Sequence, residues 1–349
     1  MHFASDNASP AHPRILQALA EANAGRTLSY GQDPWTARAT ARIREIFEAP
    51  EAEVFYVATG TAANALSLAA LARPWDVIFC SDLAHVYVDE CNGPEFFTGG
   101  AKLHKVPTPD GRIRPDALAR EIAITPPPRQ IDMQRGPVTL TNLTEAGTLY
   151  SAAEVAAIAE VARANNLAVH MDGARFANAL VASNASPAEM TWQAGVDILS
   201  FGGTKNGLLG VEAIVIFSPE RADHFALRHR RGAHLFSKQR YLAAQILAYL
   251  TDDLWRIMAR AANAAGQRLV EGLRDTAGAK LVYQPAANMV FASLPRHAHQ
   301  RLAAAGAEYY FNHALLDSGP ADEPLQARLV TSWDTKDGEI DTFLALSRG

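Results

Sequence analysis

Leu167-Ala-Val-His-Met-Asp-Gly-Ala-Arg175 and Val196-Asp-Ile-Leu-Ser-Phe-Gly-Gly-Thr-Lys-Asn-Gly207 are the two stretches that decide the fold. Each is a short, β-rich apolar run that passes directly into glycine and polar residues. Buried parallel strands have this form, and the loops that follow such strands open at one edge of their sheet. Asp172 and Lys205, far apart in sequence, are therefore expected to meet at that edge. Taken singly, an aspartate capping a helix and a surface lysine in a glycine turn fit equally well. The ordered pair, with the matches below, favours a shared site.

The same alternation extends outward in both directions. Residues 54–58 read as a strand leading into Gly60-Thr-Ala-Ala-Asn64 and an Ala/Leu-rich helix, and 76–80 as a strand followed by a helix from His85. Residues 138–142 read as a strand before Ser151-Ala-Ala-Glu154, whose Ser and Glu spacing predicts a capping box opening a helix to Asn165. The strand series continues at 212–217. Upstream, 15–24 and 36–47 read as helices ended by Gly25 and Pro50. Strand and helix in alternation predict the α/β class, with a mostly parallel sheet covered by helices on both faces.

Between 235 and 275 the pattern changes to long helical periodicity, weakly interrupted near Gly266. Beyond it, 280–283, 289–293 and 328–333 read as strands and 297–305 and 338–346 as helices, the signature of a compact α+β unit. A chain of 349 residues exceeds the usual ceiling for one core. The expected organisation is a large domain with an N-terminal arm over 1–250 and a small C-terminal α+β domain over 251–349. The Pro126-Pro-Pro128 run is expected to be a loop.

Composition narrows the function class. The chain is 48% hydrophobic and 20% charged with a formal charge of -5, which gives no support to a nucleic-acid or membrane-surface partner. No apolar stretch reaches the ~18 residues of a membrane span, and the first ten residues lack the regions of a signal peptide, so a cytoplasmic location is expected. Cys80 and Cys91 lack CxxC spacing, no HxxxH pair occurs, and neither a disulfide nor a metal site is expected.

The chemistry that needs a lysine and a carboxylate in this order is that of pyridoxal phosphate. Its aldehyde is held by a lysine amine as a Schiff base, and a carboxylate keeps its pyridine nitrogen protonated as an electron sink. Lys205 and Asp172 fit those roles. Gly60 and Thr61 follow a strand and open a helix, where unsatisfied N–H groups and the positive helix end attract a phosphate; a glycine turn with a threonine cap is the simpler alternative. His85, also just past a strand, could stack on a ring or move a proton, or be an ordinary loop residue. Arg175 and Arg328 could match a substrate carboxylate with a charged fork. Arg328 is the stronger carboxylate candidate because it is expected at the start of an apolar strand, whereas Arg175 rests on its nearness to Asp172.

In these residues and their order the chain resembles the L-threonine aldolase family. The matching motifs are Ser5-Asp-Asn7, Tyr30-Gly-Gln-Asp33, Gly60-Thr-Ala-Ala-Asn64, Ala84-His85, His170-Met-Asp-Gly-Ala-Arg175, Gly-Gly-Thr-Lys205 and Arg328-Leu-Val-Thr331, in the family's order across nearly the whole chain. The resemblance implies the aspartate-aminotransferase fold (fold type I), pyridoxal 5'-phosphate as cofactor, and retro-aldol cleavage of β-hydroxy-α-amino acids to glycine and an aldehyde. It also implies a homo-oligomer, dimer or tetramer, with shared active sites. On the family pattern Lys205 is the Schiff-base residue, Asp172 the pyridine-nitrogen partner and His85 the stacking residue. Gly60, Thr61 and Thr204 fall in the cofactor site, Ser5, Tyr30, Arg175 and Arg328 around the substrate, and Arg231 at a neighbouring subunit's phosphate.

One segment departs from the pattern. Many members carry Glu-Asn-Thr-His-Asn after the central strand, the histidine approaching the substrate hydroxyl, whereas this chain has Asn142-Leu-Thr-Glu-Ala146. The group that takes the hydroxyl proton is left open among His85, a water it holds, and another residue. Rival readings are β-elimination or transamination on the same fold, and a non-enzymatic carrier of the cofactor. A Rossmann dehydrogenase is disfavoured because no GxGxxG follows an early strand.

Overall fold

The computed structural model describes residues 1–125, 131–222 and 224–349. The Pro126-Pro-Pro128 run lies outside the described residues. Seven strands build the larger sheet: β1 (Glu53–Val57), β2 (Asp76–Ser81), β3 (Lys102–Val106), β4 (Gln134–Thr141), β5 (Val169–Gly173), β6 (Ile198–Gly202) and β7 (Glu212–Ile216). Their spatial order is β1-β7-β6-β5-β4-β2-β3. The pairs β3/β2, β2/β4, β4/β5 and β5/β6 are parallel, and β7 alone runs against its neighbours. The expected α/β class and mostly parallel sheet are therefore met.

Burial explains the uniform apolar runs. Every residue of β2, β5, β6 and β7 is buried, since helices cover both faces. Val169 and Met171 of β5 enter one core with Leu199 and Phe201 of β6. Phe201 sits among Phe47, Phe176 and Trp255 with ring centroids 5.5, 5.8 and 5.6 Å away. The alternate residues His170 and Asp172 face the other way. Before Lys205 the chain needs two glycines: a Cβ on Gly202 would collide with the Ala174 carbonyl, and one on Gly203 would lie 2.9 Å from the Val211 carbonyl oxygen.

A second, antiparallel sheet is formed by β8 (Lys280–Leu281), β9 (Met289–Pro295), β10 (Tyr310–Phe311) and β11 (Pro324–Val330), in the order β10-β11-β9-β8. Helix Leu254–Arg274 joins the two cores, with Trp255 and Met258 packed in the first and Leu269 and Leu273 in the second. The N-terminal arm also reaches the second: Phe3 is fully buried there, and its carbonyl accepts from Val330 N at 2.8 Å.

Several sequence expectations are corrected. The break in the 235–275 helical region lies at Thr251–Asp253, between helices Arg240–Leu250 and Leu254–Arg274, because Asp252 and Asp253 adopt left-handed φ of 52° and 57°. Gly266 is instead inside a continuous helix, where a Cβ would stand 2.8 Å from the Ala287 carbonyl oxygen. Arg328 does not open its strand; it lies near the end of β11, which begins at Pro324. The helix expected from His85 is a single turn, His85–Val88. The capping box forms as expected: Ser151 Oγ accepts from Glu154 N at 3.2 Å and Glu154 Oε2 from Ser151 N at 2.8 Å. Among the described residues no helix is long and apolar enough to cross a membrane.

Candidate active site

The carboxyl ends of the parallel strands bring the candidate residues to one edge. Gly60 follows β1, His85 follows β2, Asp172 closes β5, and Lys205 sits in the short 3-10 turn Thr204–Asn206 after β6. This matches the general tendency of open α/β sheets to gather ligands there.

Asp172 is buried and its carboxylate is held on both sides. Oδ1 accepts from Ala174 N at 2.9 Å and Oδ2 from Asn64 Nδ2 at 2.8 Å. Lys205 makes no hydrogen bond or ion pair within bonding distance among the described residues. Desolvation, reinforced by the Arg175 guanidinium, pushes its amine below the ordinary lysine range, with Asp6, Asp172 and Glu212 opposing. A lysine so placed is a better nucleophile at neutral pH than one in water. Thr204 Oγ1 accepts from Val211 N at 3.2 Å, and Glu212 Oε2 accepts from Gly203 N at 2.7 Å, which fixes the turn that carries Lys205. Burial raises the Glu212 carboxyl to about 7.

Helix Gly60–Leu71 begins at this edge. Thr59 caps it, its Oγ1 accepting from Ala62 N at 3.2 Å. As its first two residues, Gly60 and Thr61 have N–H groups without an intrahelical acceptor. A Cβ built on Gly60 would meet nothing within 4 Å, so the space over that helix end is open. An open cradle of N–H groups, a partly buried amine and a fixed carboxylate form a donor set that fits the phosphate, aldehyde and ring nitrogen of pyridoxal phosphate.

His85 belongs to a polar chain the sequence did not reveal. Its Nδ1 is 2.8 Å from Glu90 Oε1, that oxygen accepts from Asn64 Nδ2 at 2.8 Å, and Asn64 in turn reaches Asp172. The Glu90 hydrogen bond raises the His85 pKa above its ordinary value against desolvation, and burial raises that of Glu90.

Arg175 is already engaged. Its Nε and Nη2 donate to Asp6 Oδ2 and Oδ1 at 2.7 and 2.8 Å, and Asn288 Nδ2 donates to Asp6 Oδ2 at 3.1 Å. Burial works to raise the Asp6 pKa, but the Arg175 fork outweighs it and keeps the carboxyl below the usual range. Ser5 precedes Asp6 and caps its turn, Oγ accepting from Asn7 N at 3.2 Å. Arg328 retains spare capacity: Nη2 donates to the Ala4 carbonyl at 3.2 Å, the guanidinium lies 4.3 Å from the Tyr310 ring centroid, and Nε is buried without a partner. Burial, then Arg175, depresses its pKa. Arg328 lines a cavity of about 480 Å³ with Asp89, Glu145, Leu83, Phe291 and Tyr310.

Tyr30 and Arg231 do not join this cluster through any hydrogen bond, ion pair or ring contact among the described residues. Tyr30 is exposed at a left-handed φ of 56°, with the Arg230 guanidinium 5.0 Å from its ring centroid. Arg231 ends helix Phe225–Arg231 and is exposed.

Sequence reasoning singled out no role for Asp6, Asn64, Glu90 or Glu212. Asn64 carried a usable signal, a lone amide inside an Ala/Leu helix one turn past Gly60; Glu212 carried a similar one at the head of an apolar strand. Glu90 carried none, since its partners come from other elements.

A family model for beta-eliminating lyases matches residues 2–295. The chain belongs to that family. Within it, the low specificity L-threonine aldolase of Pseudomonas aeruginosa is 42% identical over 352 residues, covering 99% of this chain and 96% of the relative. Among solved structures, the Leishmania major threonine aldolase superposes with a TM-score of 0.91 at 26% identity, over 99% of this chain and 98% of that one. Serine palmitoyltransferase of Sphingomonas wittichii shares the fold alone, with a TM-score of 0.69 at 15% identity over 100% of this chain and 86% of that one. This member of the beta-eliminating lyase family therefore has the fold type I architecture, in which the same frame serves more than one chemistry.

Proposed function

We propose that the chain is a pyridoxal phosphate-dependent, low-specificity L-threonine aldolase that cleaves L-β-hydroxy-α-amino acids such as threonine, allo-threonine and phenylserine to glycine and an aldehyde. The observation that carries the reading is the full-length similarity to the Pseudomonas aeruginosa enzyme together with the meeting of Asp172, Lys205 and His85 at one sheet edge. When bound, pyridoxal phosphate supplies an electron sink for the pair released from Cα.

The chain's own residues would hold the reactants as follows. Lys205 would hold the cofactor through its aldehyde group, and Asp172 would pair with the ring nitrogen and keep it protonated. Gly60 and Thr61 would offer backbone N–H groups to the phosphate, with Thr204 beside Lys205, and His85 would stack against the ring. Arg328 binds the α-carboxylate and so sets which bond at Cα is aligned for cleavage; positioning of this kind is a large share of catalysis. Arg175, pinned by Asp6, shapes the anionic side of the site, with Ser5 next to it. Tyr30 would contribute to the substrate side and Arg231 would reach a neighbouring subunit's phosphate in a homo-oligomer, dimer or tetramer, and the enzyme would work in the cytoplasm. The division into 1–250 and 251–349 is supported by the helix break at Thr251–Asp253.

Product analysis tests the reading. Purified protein with pyridoxal phosphate and threonine should yield glycine and acetaldehyde in equal amounts, and Lys205→Ala should yield neither. Ammonia with a keto acid, or transfer of the amine to a keto acid, would establish the β-eliminating or aminotransferase alternative instead.

A further inference from the structure

Glu145 follows β4 and presents an unusual carboxyl. Its Oε1 accepts from His85 N at 2.7 Å and from Thr141 Oγ1 at 2.8 Å, which fixes the group in place. Its Oε2 is shielded from solvent and has no hydrogen-bond partner among the described residues. The residue as a whole is half-buried and lines the same cavity of about 480 Å³ as Arg328. A buried carboxyl oxygen with no donor in the protein is rare, and a catalytic role at the cavity it adjoins is one physical reason for it.

We infer that Glu145 is the residue that accepts the β-hydroxyl proton of the substrate during Cα–Cβ cleavage. The inference rests on the aldolase reading and names the base within it. The hydroxyl O–H bond breaks and its proton passes to Glu145 Oε2. The pair of that bond becomes the second C–O bond of the aldehyde as Cα–Cβ breaks. The Cα–Cβ pair ends as the new Cα–H bond of glycine, formed with a proton from solvent.

The surroundings suit a base at neutral pH. Burial, and after it the charge of Asp172, raises the Glu145 carboxyl to about 7. The other titratable or charged groups around it are Cys80 of β2, Tyr150 beyond β4, His85 at the single-turn helix, and Asp89, Tyr283, Tyr310 and Arg328 around the cavity. A base is most effective with a pKa near the working pH. His85 is less suited: its Nδ1 is committed to Glu90, and that bond favours the imidazolium, which has no lone pair to take a proton.

The test compares holoenzyme of the wild type and Glu145→Gln in three measurements. Aldehyde release from phenylserine should fall by about 100-fold or more in kcat, with KM little changed. Exchange of the α-hydrogen of glycine with deuterated water needs the cofactor site but no hydroxyl base, and should persist in the variant. In cofactor-free protein, infrared difference spectra across neutral pH should show carboxyl protonation from Glu145 and Glu212, and Glu145→Gln should remove one of the two. Cleavage that survives within about threefold, loss of glycine exchange in step with cleavage, or an unchanged neutral carboxyl titration would each overturn the assignment. A wild type that exchanges glycine but releases no aldehyde would overturn the aldolase reading itself, and the base with it.

Discussion

Asn64 donates from Nδ2 to Asp172 Oδ2 at 2.8 Å, and the same nitrogen reaches Glu90 Oε1 at 2.8 Å. One amide thus uses both its hydrogens to hold two buried carboxyl groups at a fixed separation. Replacing it with Ala strips each carboxylate of a donor, and a buried acceptor left unsatisfied costs roughly 1–3 kcal/mol. Asn64→Ala should therefore lower the denaturation midpoint of the cofactor-free protein and weaken cofactor binding. Equilibrium unfolding and a cofactor titration check this; a variant as stable as the wild type would show that the bridge contributes nothing.

Arg328 has an unpartnered Nε and a place in the cavity wall, which a substrate carboxylate would use. Arg328→Ala should reduce kcat/KM for threonine by about 30-fold or more, since loss of a buried charged partner costs on the order of 2–5 kcal/mol. Arg328→Lys should recover only part of it, because an ammonium cannot reproduce the fork. Steady-state kinetics on the three proteins decide the point, and a loss below threefold for the alanine variant would exclude the role.

His170 supplies a pH dependence of stability. It is wholly buried, with Nδ1 2.8 Å from Thr139 Oγ1 and Nε2 3.0 Å from Ser200 Oγ, and burial lowers its pKa from 6.5 to about 4. The unfolded chain then binds a proton between pH 6.5 and 4 that the folded chain refuses. Stability is thus complete above 6.5, falls as the pH drops through that window, and changes no further from this source below about 4, for a total on the order of 3 kcal/mol. Urea midpoints of the cofactor-free protein between pH 7.5 and 4.5 should show the slope. His170→Gln should be less stable throughout, yet flatter over the same range.

The cavity that Arg328 and Glu145 line also presents apolar side chains, among them Leu83, Val88 and Phe291. Apolar contacts separate substrates by only ~1–3 kcal/mol per methylene-sized difference. Discrimination at the β-substituent should therefore be weak, with phenylserine cleaved at least as efficiently as threonine. Comparison of kcat/KM for threonine, allo-threonine and phenylserine is the measurement. A strong preference for threonine would overturn the expectation and point to a polar group of the lining, such as Asp89 or Gln326, at the β-substituent.

The frame was legible in the sequence because its signals are local. Apolar runs at 167–171, 196–201 and 212–217, each followed by glycine or polar residues, are what a doubly covered strand demands, and β5, β6 and β7 lie there. The Ser151 and Glu154 box could be read for the same reason, since both partners sit within one turn. Lys205 and Asp172 could be chosen from order alone, since parallel strands send successive loops to one edge. The edge strand β3, in which only Leu103 and Val106 are buried, and the two-residue strand β10 were missed, as short elements of mixed polarity have no distinctive period.

What only the tertiary structure decided are the pairings between distant segments. Asp6 takes the Arg175 fork across 169 positions, and Asn64 reaches Asp172 across 108. Nothing local marks either pair. The helix break at Asp252 and Asp253, rather than at Gly266, follows from packing too: Gly266 is small because the Ala287 carbonyl presses on its helix, not because the helix ends. The unpartnered oxygen of Glu145 is the plainest case. Its chemistry depends on which donors failed to reach it, and that is a property of the assembled cavity rather than of any stretch of chain.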